Sequence, residues 1–217
     1  MNVDLHTHTY PASSCSRISH RDYLAWCHKH RVEAIALTNH GSTRDTRELE
    51  SEMKADGVLL IHGVEISTPD GDFIVYSPDL DFLDSFHDVQ DVPAPGELPD
   101  HAALVWVHPA AGGGRSQSAY FHGLERAVAN IVDAVEVYNG NWLGDWYVES
   151  ANAIAARLDV ARTGGSDAHD AGRLMACYTE IPDPVRSTED VVTAIKRRLT
   201  IPHRAKAPRK RRLRGIL

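Results

Sequence analysis

Histidine is the residue type that most suggests chemistry in this chain, with 13 among 217 residues. His6 and His8 close the extended run Asn2-Val3-Asp4-Leu5. Because alternate residues of a strand project from the same face, these two imidazoles could bind one metal ion. His28 and His30 have the same spacing but belong to a predicted helix, where two residues correspond to about 200° of rotation. We therefore expect only the first pair to act together.

Other metal-ligand side chains follow the same pattern, in which a short apolar run ends in His, Asp or Glu. Continuous apolar runs are typical of parallel strands that are buried on both faces. The carboxyl ends of such strands share one face of a sheet, and in a closed barrel they surround one point. Seven candidate ligands are therefore expected to converge: His6, His8, His40, Glu65, His108, Asp167 and His169.

The chemistry of these seven side chains is that of a metal-dependent hydrolase. Imidazole nitrogen and carboxylate oxygen suit zinc, manganese or iron, and no cysteine stands at these strand ends to suggest a zinc finger. A closed site for one ion requires about four ligands, so seven predict at least two ions, with Glu65 as a candidate bridge. Paired ions about 3.5–4 Å apart can hold a hydroxide and stabilise the entering and leaving oxygens of a displacement.

The elements that must position these ligands alternate between strands and helices, which predicts an α/β fold. Caps, charges and apolar spacing of three to four residues indicate the helices. These are Ser19–Lys29 (with Ser19 as N-cap), Thr43–Ala55, Gly123–Ile131, Leu143–Leu158 and Thr188–Leu199. Pro69-Asp70-Gly71 predicts a hairpin turn that interrupts the alternation. The acidic, proline-containing segment 78–100 predicts a surface loop with a short helix around Phe82–Phe86.

The composition predicts a globular protein of a reducing cytoplasm. Hydrophobic residues make up 42% of the chain and charged residues 24%, which excludes a disordered body. No apolar run approaches the roughly 18–20 residues that span a bilayer. The first residues have neither the basic nor the apolar region of a signal peptide. Three cysteines without a C-x-x-C motif do not suggest a disulfide framework.

Charge divides the chain into two parts. The formal net charge is −7, but residues 203–217 carry seven basic side chains and no acidic one. We therefore predict a single domain over residues 1–202 and a basic tail over residues 203–217. The acidic body argues against a general nucleic-acid surface, whereas the tail could contact nucleic acid or be a solvated arm.

Five motifs in order resemble those of a known family. They are His6-Thr7-His8 after Asp4-Leu5, Thr38-Asn39-His40, Gly63-Val64-Glu65-Ile66-Ser67, His108-Pro109, and Gly165-Ser166-Asp167-Ala168-His169. The set resembles the PHP (polymerase and histidinol phosphatase) family of metal-dependent phosphoesterases, over about residues 2–181. The resemblance implies a distorted (β/α)7 TIM-like barrel of mostly parallel strands, with the active site at their carboxyl ends. It also implies phosphoester hydrolysis with two or three divalent metal ions (Zn, Mn or Fe).

The resemblance also implies roles for the seven ligands. His6, His8, Glu65 and Asp167 would hold one metal. Glu65 would bridge to a second metal that His108 also holds. His40 and His169 would serve a further metal or the substrate phosphate.

The sequence departs from the pattern of the family it resembles at several positions. Asn39 stands where many relatives have Asp, and Ser13-Ser14-Cys15 occupies a loop where some have His or Asp. Others have an extra His between the Glu and the His-Pro motif, for which His87 and His101 are the candidates here.

A phosphate substrate requires cations beside the metals. Arg17, in the loop after His8, and Arg173, shortly after His169, are the candidates with catalytic roles, and Arg115 is a third. Tyr138 and Asn139 are candidate pocket residues. Glu136 and Tyr138 are expected to share a strand face and to support the pocket.

Two other functions remain open from the sequence. A mononuclear amidohydrolase-type hydrolase also opens with His-x-His, although the lysine that bridges the dinuclear members has no counterpart between Lys54 and Lys196. A metal-binding regulatory domain without catalysis, recruited through its basic tail, is the other. For the enzyme, the expected substrate is a small phosphoester or nucleotide, or a nucleic-acid end that contacts the tail; no membrane partner is expected.

Overall fold

The computed structural model describes residues 1–87, 92–94, 96–111, 128 and 130–205. Within these residues one sheet contains nine strands in the order β7-β6-β5-β4-β3-β2-β1-β8-β9. The strands are β1 (Asn2–Asp4), β2 (Ala34–Leu37), β3 (Leu59–Thr68), β4 (Gly71–Tyr76), β5 (Ala103–Val107), β6 (Ala134–Asn139), β7 (Ala161–Gly165), β8 (Cys177–Glu180) and β9 (Ile201–Arg204). The helices are α1 (His20–His30), α2 (Arg44–Ala55), α3 (Leu80–Asp84), α4 (Asp145–Leu158) and α5 (Thr188–Lys196), with a 3₁₀ turn at Ala171–Arg173.

The predicted α/β barrel with mostly parallel strands is confirmed. Six of the strands β1 to β7 run in one direction, and β4 runs antiparallel between β3 and β5. The hairpin between β3 and β4 turns at Pro69-Asp70, where the Thr68 hydroxyl donates to the Gly71 carbonyl at 2.9 Å.

The barrel closes between β1 and β7 at the carboxyl end. There the Asp167 amide donates to the His6 carbonyl at 2.8 Å, and the His8 amide donates to the Ala168 carbonyl at 3.3 Å. At the amino end β8 lies between the two strands and pairs with β1, and its Thr179 hydroxyl bonds to the backbone of β7. The first and last strands that precede candidate ligands are therefore neighbours.

The apolar core has an inner and an outer layer. Small and branched side chains such as Ala34, Ile61 and Val105 pack inside the barrel, and Val191 and Ile195 of α5 complete this layer. Outward-facing side chains of the same strands pack against α1, α2 and α4. The polar side chains that follow the strands lie beyond the inner layer, at the carboxyl ends.

Most predicted helices are confirmed within a few residues. Ser19 caps α1, since its hydroxyl accepts from the Asp22 amide. The last helix ends at Lys196, before Leu199, because Arg198 adopts a positive φ of 59°. The short helix α3 begins at Leu80, before Phe82, because the Asp79 side chain caps it. The predicted helix Gly123–Ile131 falls mostly outside the described residues.

The predicted domain boundary at residue 202 falls within β9, which pairs with β8 as far as Arg204. Residues 206–217 of the predicted tail lie outside the described residues. Among the described helices, none combines the length and apolar character that crossing a membrane requires.

Candidate metal centre

Four ligand atoms meet at the carboxyl end of the barrel. They are Nε2 of His6, Nε2 of His8, Oε2 of Glu65 and Oδ1 of Asp167. The two nitrogens are 3.1 Å apart. Each nitrogen lies 3.2–3.5 Å from each of the two oxygens. We call these four atoms the cage.

The dimensions of the cage fit a metal ion. A tetrahedral ion with ligand bonds of about 2.0–2.1 Å separates its ligand atoms by about 3.3 Å. The observed distances of 3.1–3.5 Å surround this value. All four side chains are buried, and burying two carboxylates beside two imidazoles without a compensating ion or proton is costly. The residues therefore fit a bound divalent cation.

Glu65 also faces a second group of ligands. Its Oε1 lies 3.2 Å from Nε2 of His108, whereas its Oε2 belongs to the cage and lies 3.4 Å from Nδ1 of His40. His6, Glu65 and His108 form a further set whose ligand atoms lie within 4.8 Å of one another. The two oxygens of one carboxylate are thus shared between two possible metal positions.

His169 completes the convergence of the seven predicted ligands. Its ring centroid lies 4.8 Å from that of His8, and the ring of His40 lies 4.9 Å from His8 on a nearly parallel plane. Nδ1 of His169 donates to the Asp167 carbonyl at 2.9 Å, which leaves Nε2 as the nitrogen for a ligand.

Cys15 also lies beside this group, although no described strand ends in a cysteine. Ligand atoms of His8, Cys15 and His40 lie within 4.8 Å of one another. Cys15 belongs to the loop between β1 and α1, and the periodicity of strands and helices carries no information about where that loop folds. A pocket of about 510 Å³ opens here, and Cys15, His40, Glu65 and His87 are among its lining residues.

Two of the candidate ligands adopt a strained backbone conformation. Asp167 has φ of 50° and His108 has φ of 33°, a region that residues other than glycine rarely adopt. Such conformations cost of order 1–3 kcal/mol each and are typical of functional sites. Gly165, just before this turn, packs so closely that an added Cβ would lie 2.4 Å from Cβ of His6.

Glu136 is the main residue whose role the sequence did not establish. Its Oε1 accepts a hydrogen bond from Nδ1 of His6 at 3.0 Å, and its Oε2 accepts from the His108 amide at 3.1 Å. A carboxylate can only accept, so the proton lies on Nδ1 and Nε2 of His6 is directed at the cage. A charged residue inside the apolar run Ala134–Val137 was the available signal.

A bulge in β6 corrects the expected geometry of this strand. The register shifts between Glu136 and Tyr138, so the two side chains do not act on one face. Tyr138 packs against the outer core. Asn139 turns inward instead, and its Nδ2 donates to Oε2 of Glu136 at 2.8 Å and to Oδ2 of Asp167 at 3.2 Å.

Opposite charges shift the pKa values in the cluster. Burial favours a raised pKa of Glu65 and of Asp167, but the surrounding imidazoles outweigh it and hold both values low. Burial lowers the pKa of His108, but the hydrogen bond and charge of Glu65 raise it to about 9. Burial would raise the pKa of Cys15, but the adjacent His169 and His8 lower it. The carboxylates and imidazoles of the cluster therefore shift one another's pKa values in opposite directions.

The arginines lie at the rim rather than in the cluster. Arg17 is 79% exposed and pairs with Asp170 at 2.8 Å, directly after His169. Arg173 donates to Oδ1 of Asn141 at 3.0 Å. Arg115 lies outside the described residues.

Four other residues that the sequence analysis discussed lie apart from the cage. The side chain of His28 is 76% exposed and that of His30 stacks on Trp26, as expected for a pair that does not share a metal. His101 contacts Phe82. Asn39 is buried and bonds to the backbone and hydroxyl of Thr9, so it fixes the loop after β1.

Taken together, these observations define an α/β barrel with a candidate metal centre at the carboxyl ends of its strands. The model of the PHP domain matches residues 4–135, and the model described as PHP-associated matches residues 147–200. The chain therefore belongs to the PHP domain family, and the resemblance of its motifs is confirmed.

One relative and several solved structures are similar to this chain. Over 107 residues, 48% of the chain, it is 32% identical to the DNA polymerase III PolC-type of Lactococcus lactis, and the match spans 6% of that protein. PsfC of Pseudomonas syringae has a TM-score of 0.62 at 19% identity, with 94% of this chain and 91% of that chain covered.

Two further structures share the fold. A two-domain protein of Bacteroides vulgatus, described as containing a predicted PHP-like metal-dependent phosphoesterase, has a TM-score of 0.65 at 19% identity, over 94% of this chain and 64% of that one. An amidohydrolase of Chromobacterium violaceum, with bound sulfate and no metal, has a TM-score of 0.61 at 16% identity, over 94% and 98%.

Proposed function

We propose that this protein is a metal-dependent hydrolase that cleaves phosphoester bonds, using two or three divalent ions. The observation that carries the proposal is the position of Glu65, whose two oxygens face two groups of imidazoles. A carboxylate placed in this way is suited to hold two cations at the short spacing of dinuclear hydrolases.

The residues divide into two sets of ligands. His6, His8, Glu65 and Asp167 would hold the first ion, and Glu65 and His108 would contribute to the second. When bound, paired ions activate water as a nucleophile near neutral pH and stabilise the entering and leaving oxygens of the displacement.

The remaining residues orient the ligands and bind the substrate. Glu136 fixes the tautomer of His6 and the backbone of His108, and such partners raise metal affinity by roughly 10–100-fold. Arg17 pairs with Asp170, and Arg173 ends the 3₁₀ turn that follows Asp170. A forked guanidinium at this rim suits the phosphate oxygens that the ions leave free.

The positions of the lysines favour a metal-dependent phosphoesterase over a dinuclear amidohydrolase. Among the described residues the lysines are Lys29, Lys54 and Lys196, and all three lie on helices. The bridging position is proposed instead for Glu65, which lies within β3. The substrate is proposed as a small phosphomonoester, a nucleotide or a nucleic-acid end, and contact of the tail with nucleic acid stays a prediction.

A substrate screen tests the proposal. We expect the manganese- or zinc-loaded protein to hydrolyse at least one member of a set of phosphomonoesters, nucleotides and short oligonucleotides, and chelation to abolish the activity. Matched carboxylic esters and amides serve as the comparison. Turnover of amides alone would replace the proposal with amidohydrolase chemistry, and metal binding without any turnover would favour a regulatory domain.

A further inference from the structure

Asn141 joins the candidate metal centre to an arginine at the rim. It lies two residues after the end of β6. Its Nδ2 donates to the carbonyl oxygen of Asp167 at 2.9 Å, and its Oδ1 accepts from a guanidinium nitrogen of Arg173 at 3.0 Å. The same carbonyl accepts from Nδ1 of His169 at 2.9 Å. The backbone of one cage residue therefore anchors an imidazole and, through a single amide, an arginine.

The turn that carries Asn141 is fixed against β7. The Asn141 amide donates to Oδ1 of Asn139 at 2.9 Å, and the Gly140 amide donates to the Gly165 carbonyl at 3.1 Å. An added Cβ at Gly140 would lie only 2.2 Å from the carbonyl oxygen of Ser166, so a larger residue does not fit there. The position of Asn141 is therefore set by the strand that leads into the cage.

The rim arginines differ in the charge of their partners. Arg17 pairs with the carboxylate of Asp170 at 2.8 Å, which compensates its positive charge. Within the part of the chain that the structure describes, no carboxylate oxygen lies within 4.0 Å of the Arg173 guanidinium. Its partner there is the neutral amide of Asn141, which accepts a hydrogen bond without carrying a negative charge. The charge of Arg173 is therefore left for an anion.

The number of non-bridging oxygens on a substrate phosphate determines where such a charge is useful. A phosphodiester has two of these oxygens, and a pair of metal ions can contact both. A phosphomonoester has three and carries up to two negative charges, so one oxygen remains for a further cation. A guanidinium beside the ions suits that oxygen.

We propose that Asn141 is a positioning residue that holds the uncompensated charge of Arg173 for the third oxygen of a phosphomonoester. The site thereby selects phosphomonoesters over phosphodiesters. The inference rests on the proposed function, since it requires that the phosphate binds beside the cage. Asn141 acts through Arg173 and contacts neither the reacting atoms nor a metal ion.

Nuclear magnetic resonance of the arginine side chains tests the positioning without a measurement of activity. The Nε–H group of Arg173 is expected to be rigid on the picosecond-to-nanosecond timescale in the wild type and mobile in Asn141→Ala. Arg173→Lys identifies the signal. Asn152→Ala is the matched control, because it removes an amide that donates to the Val148 carbonyl within α4. This control should leave the Arg173 signal unchanged.

Kinetics distinguish positioning from a general structural role. Asn141→Ala is expected to raise KM for para-nitrophenyl phosphate roughly 3–10-fold, the effect of one hydrogen bond, with kcat and metal content near those of the wild type. In an Arg173→Ala background it should cause no further loss, because both changes remove the same contact. KM for the diester bis-para-nitrophenyl phosphate should stay unchanged, so the preference for the monoester falls in both variants.

Binding of inorganic phosphate to the zinc-loaded protein, measured by calorimetry, separates this inference from the proposed function. A wild type that hydrolyses neither ester but binds phosphate more tightly than Asn141→Ala would overturn the proposed function and support the role of Asn141. Additive losses in the double variant, a rigid Arg173 in Asn141→Ala or an unchanged preference for the monoester would overturn the role of Asn141, while hydrolysis by the wild type would still support the proposed function. A wild type that neither binds phosphate nor hydrolyses either ester would overturn both.

Discussion

The two oxygens of Glu65 face different imidazoles, so this residue bears most directly on the chemistry. Glu65→Gln keeps the size of the side chain but removes a negative charge between two proposed cations. We expect hydrolysis to fall by several orders of magnitude and the metal content to fall below that of the wild type. Steady-state kinetics and elemental analysis measure both.

The control for this substitution is His28→Ala, because His28 is exposed on α1, away from the cage. This variant should match the wild type. Near-normal turnover by Glu65→Gln would show that Glu65 does not bridge.

Arg173 distinguishes a phosphate from a carbonyl substrate. Arg173→Ala should raise KM for phosphomonoesters, lower kcat/KM at least about 10-fold (about 1.4 kcal/mol) and leave the metal content unchanged. Arg173→Lys should recover only part of this loss, since an ammonium cannot make a bidentate contact. Arg44→Ala, which removes an exposed arginine paired with Glu48 on α2, is the control. Unchanged kinetics for Arg173→Ala would exclude it from phosphate binding.

The raised pKa of His108 predicts that metal uptake releases protons. At pH 7.5 the imidazole, with a pKa of about 9 in the metal-free protein, is protonated, and a metal ligand must be neutral. Calorimetric binding enthalpies should therefore differ between buffers with different heats of ionisation. Identical enthalpies would contradict the prediction.

The raised pKa of His108 also determines how the free energy of unfolding depends on pH. Because the pKa of His108 is raised on folding, its contribution to the free energy of unfolding is complete below pH 6.5 and disappears as pH rises through about 9. This contribution belongs to the metal-free protein.

At the residue scale, strand ends made the convergence of six of the seven candidate ligands predictable, since parallel strands of a barrel end around one point. Glu65, the seventh, lies within β3 instead. Glu136 was harder to assign, because a glutamate within an apolar run looks the same whether it orients a ligand or faces solvent. Cys15 could not be placed, because loop conformation has no sequence period.

At the scale of elements, apolar runs and caps in the sequence predicted the order of strands and helices. They did not predict the bulge in β6. A bulge shifts the register by one residue and reverses the side-chain faces beyond it. Here it brings Asn139 rather than Tyr138 to Glu136. Because the register shifts within two residues, between Glu136 and Tyr138, the hydrophobic pattern of the sequence does not reveal the bulge.

The close approach of β7 to β1 predicts that adding one methyl group at Gly165 destabilises the protein. Gly165→Ala would place Cβ 2.4 Å from Cβ of His6 and 2.8 Å from Oε1 of Glu136. We expect displacement of His6, a loss of roughly 1–3 kcal/mol in the free energy of unfolding and weaker metal binding. Denaturant titration and metal analysis measure these effects.

Gly144→Ala is the matched control for this substitution, because an added Cβ there meets no atom within 4 Å. It should behave as the wild type. If Gly165→Ala kept full stability and metal content, β7 would not constrain His6 as described.

At the scale of the whole molecule, the barrel holds together side chains from opposite parts of the chain. His6 and Ser166, whose neighbour Asp167 belongs to the cage, are 160 residues apart in sequence and joined by a hydrogen bond at closure. The order of the motifs was readable from the sequence. The insertion of β8 between β1 and β7 at the amino end was not, because it depends on three-dimensional closure.

This closure has a kinetic consequence. A contact across 160 residues forms only after much of the chain has been organised, so the cage is absent from the early stages of folding. Interactions absent from the transition state slow unfolding and leave the folding rate almost unchanged. We therefore expect saturating zinc to lengthen the lifetime of the native state, measured by stopped-flow unfolding, while refolding proceeds at the same rate with or without metal. Accelerated refolding would mean that the ions gather the two distant segments early and act as a template.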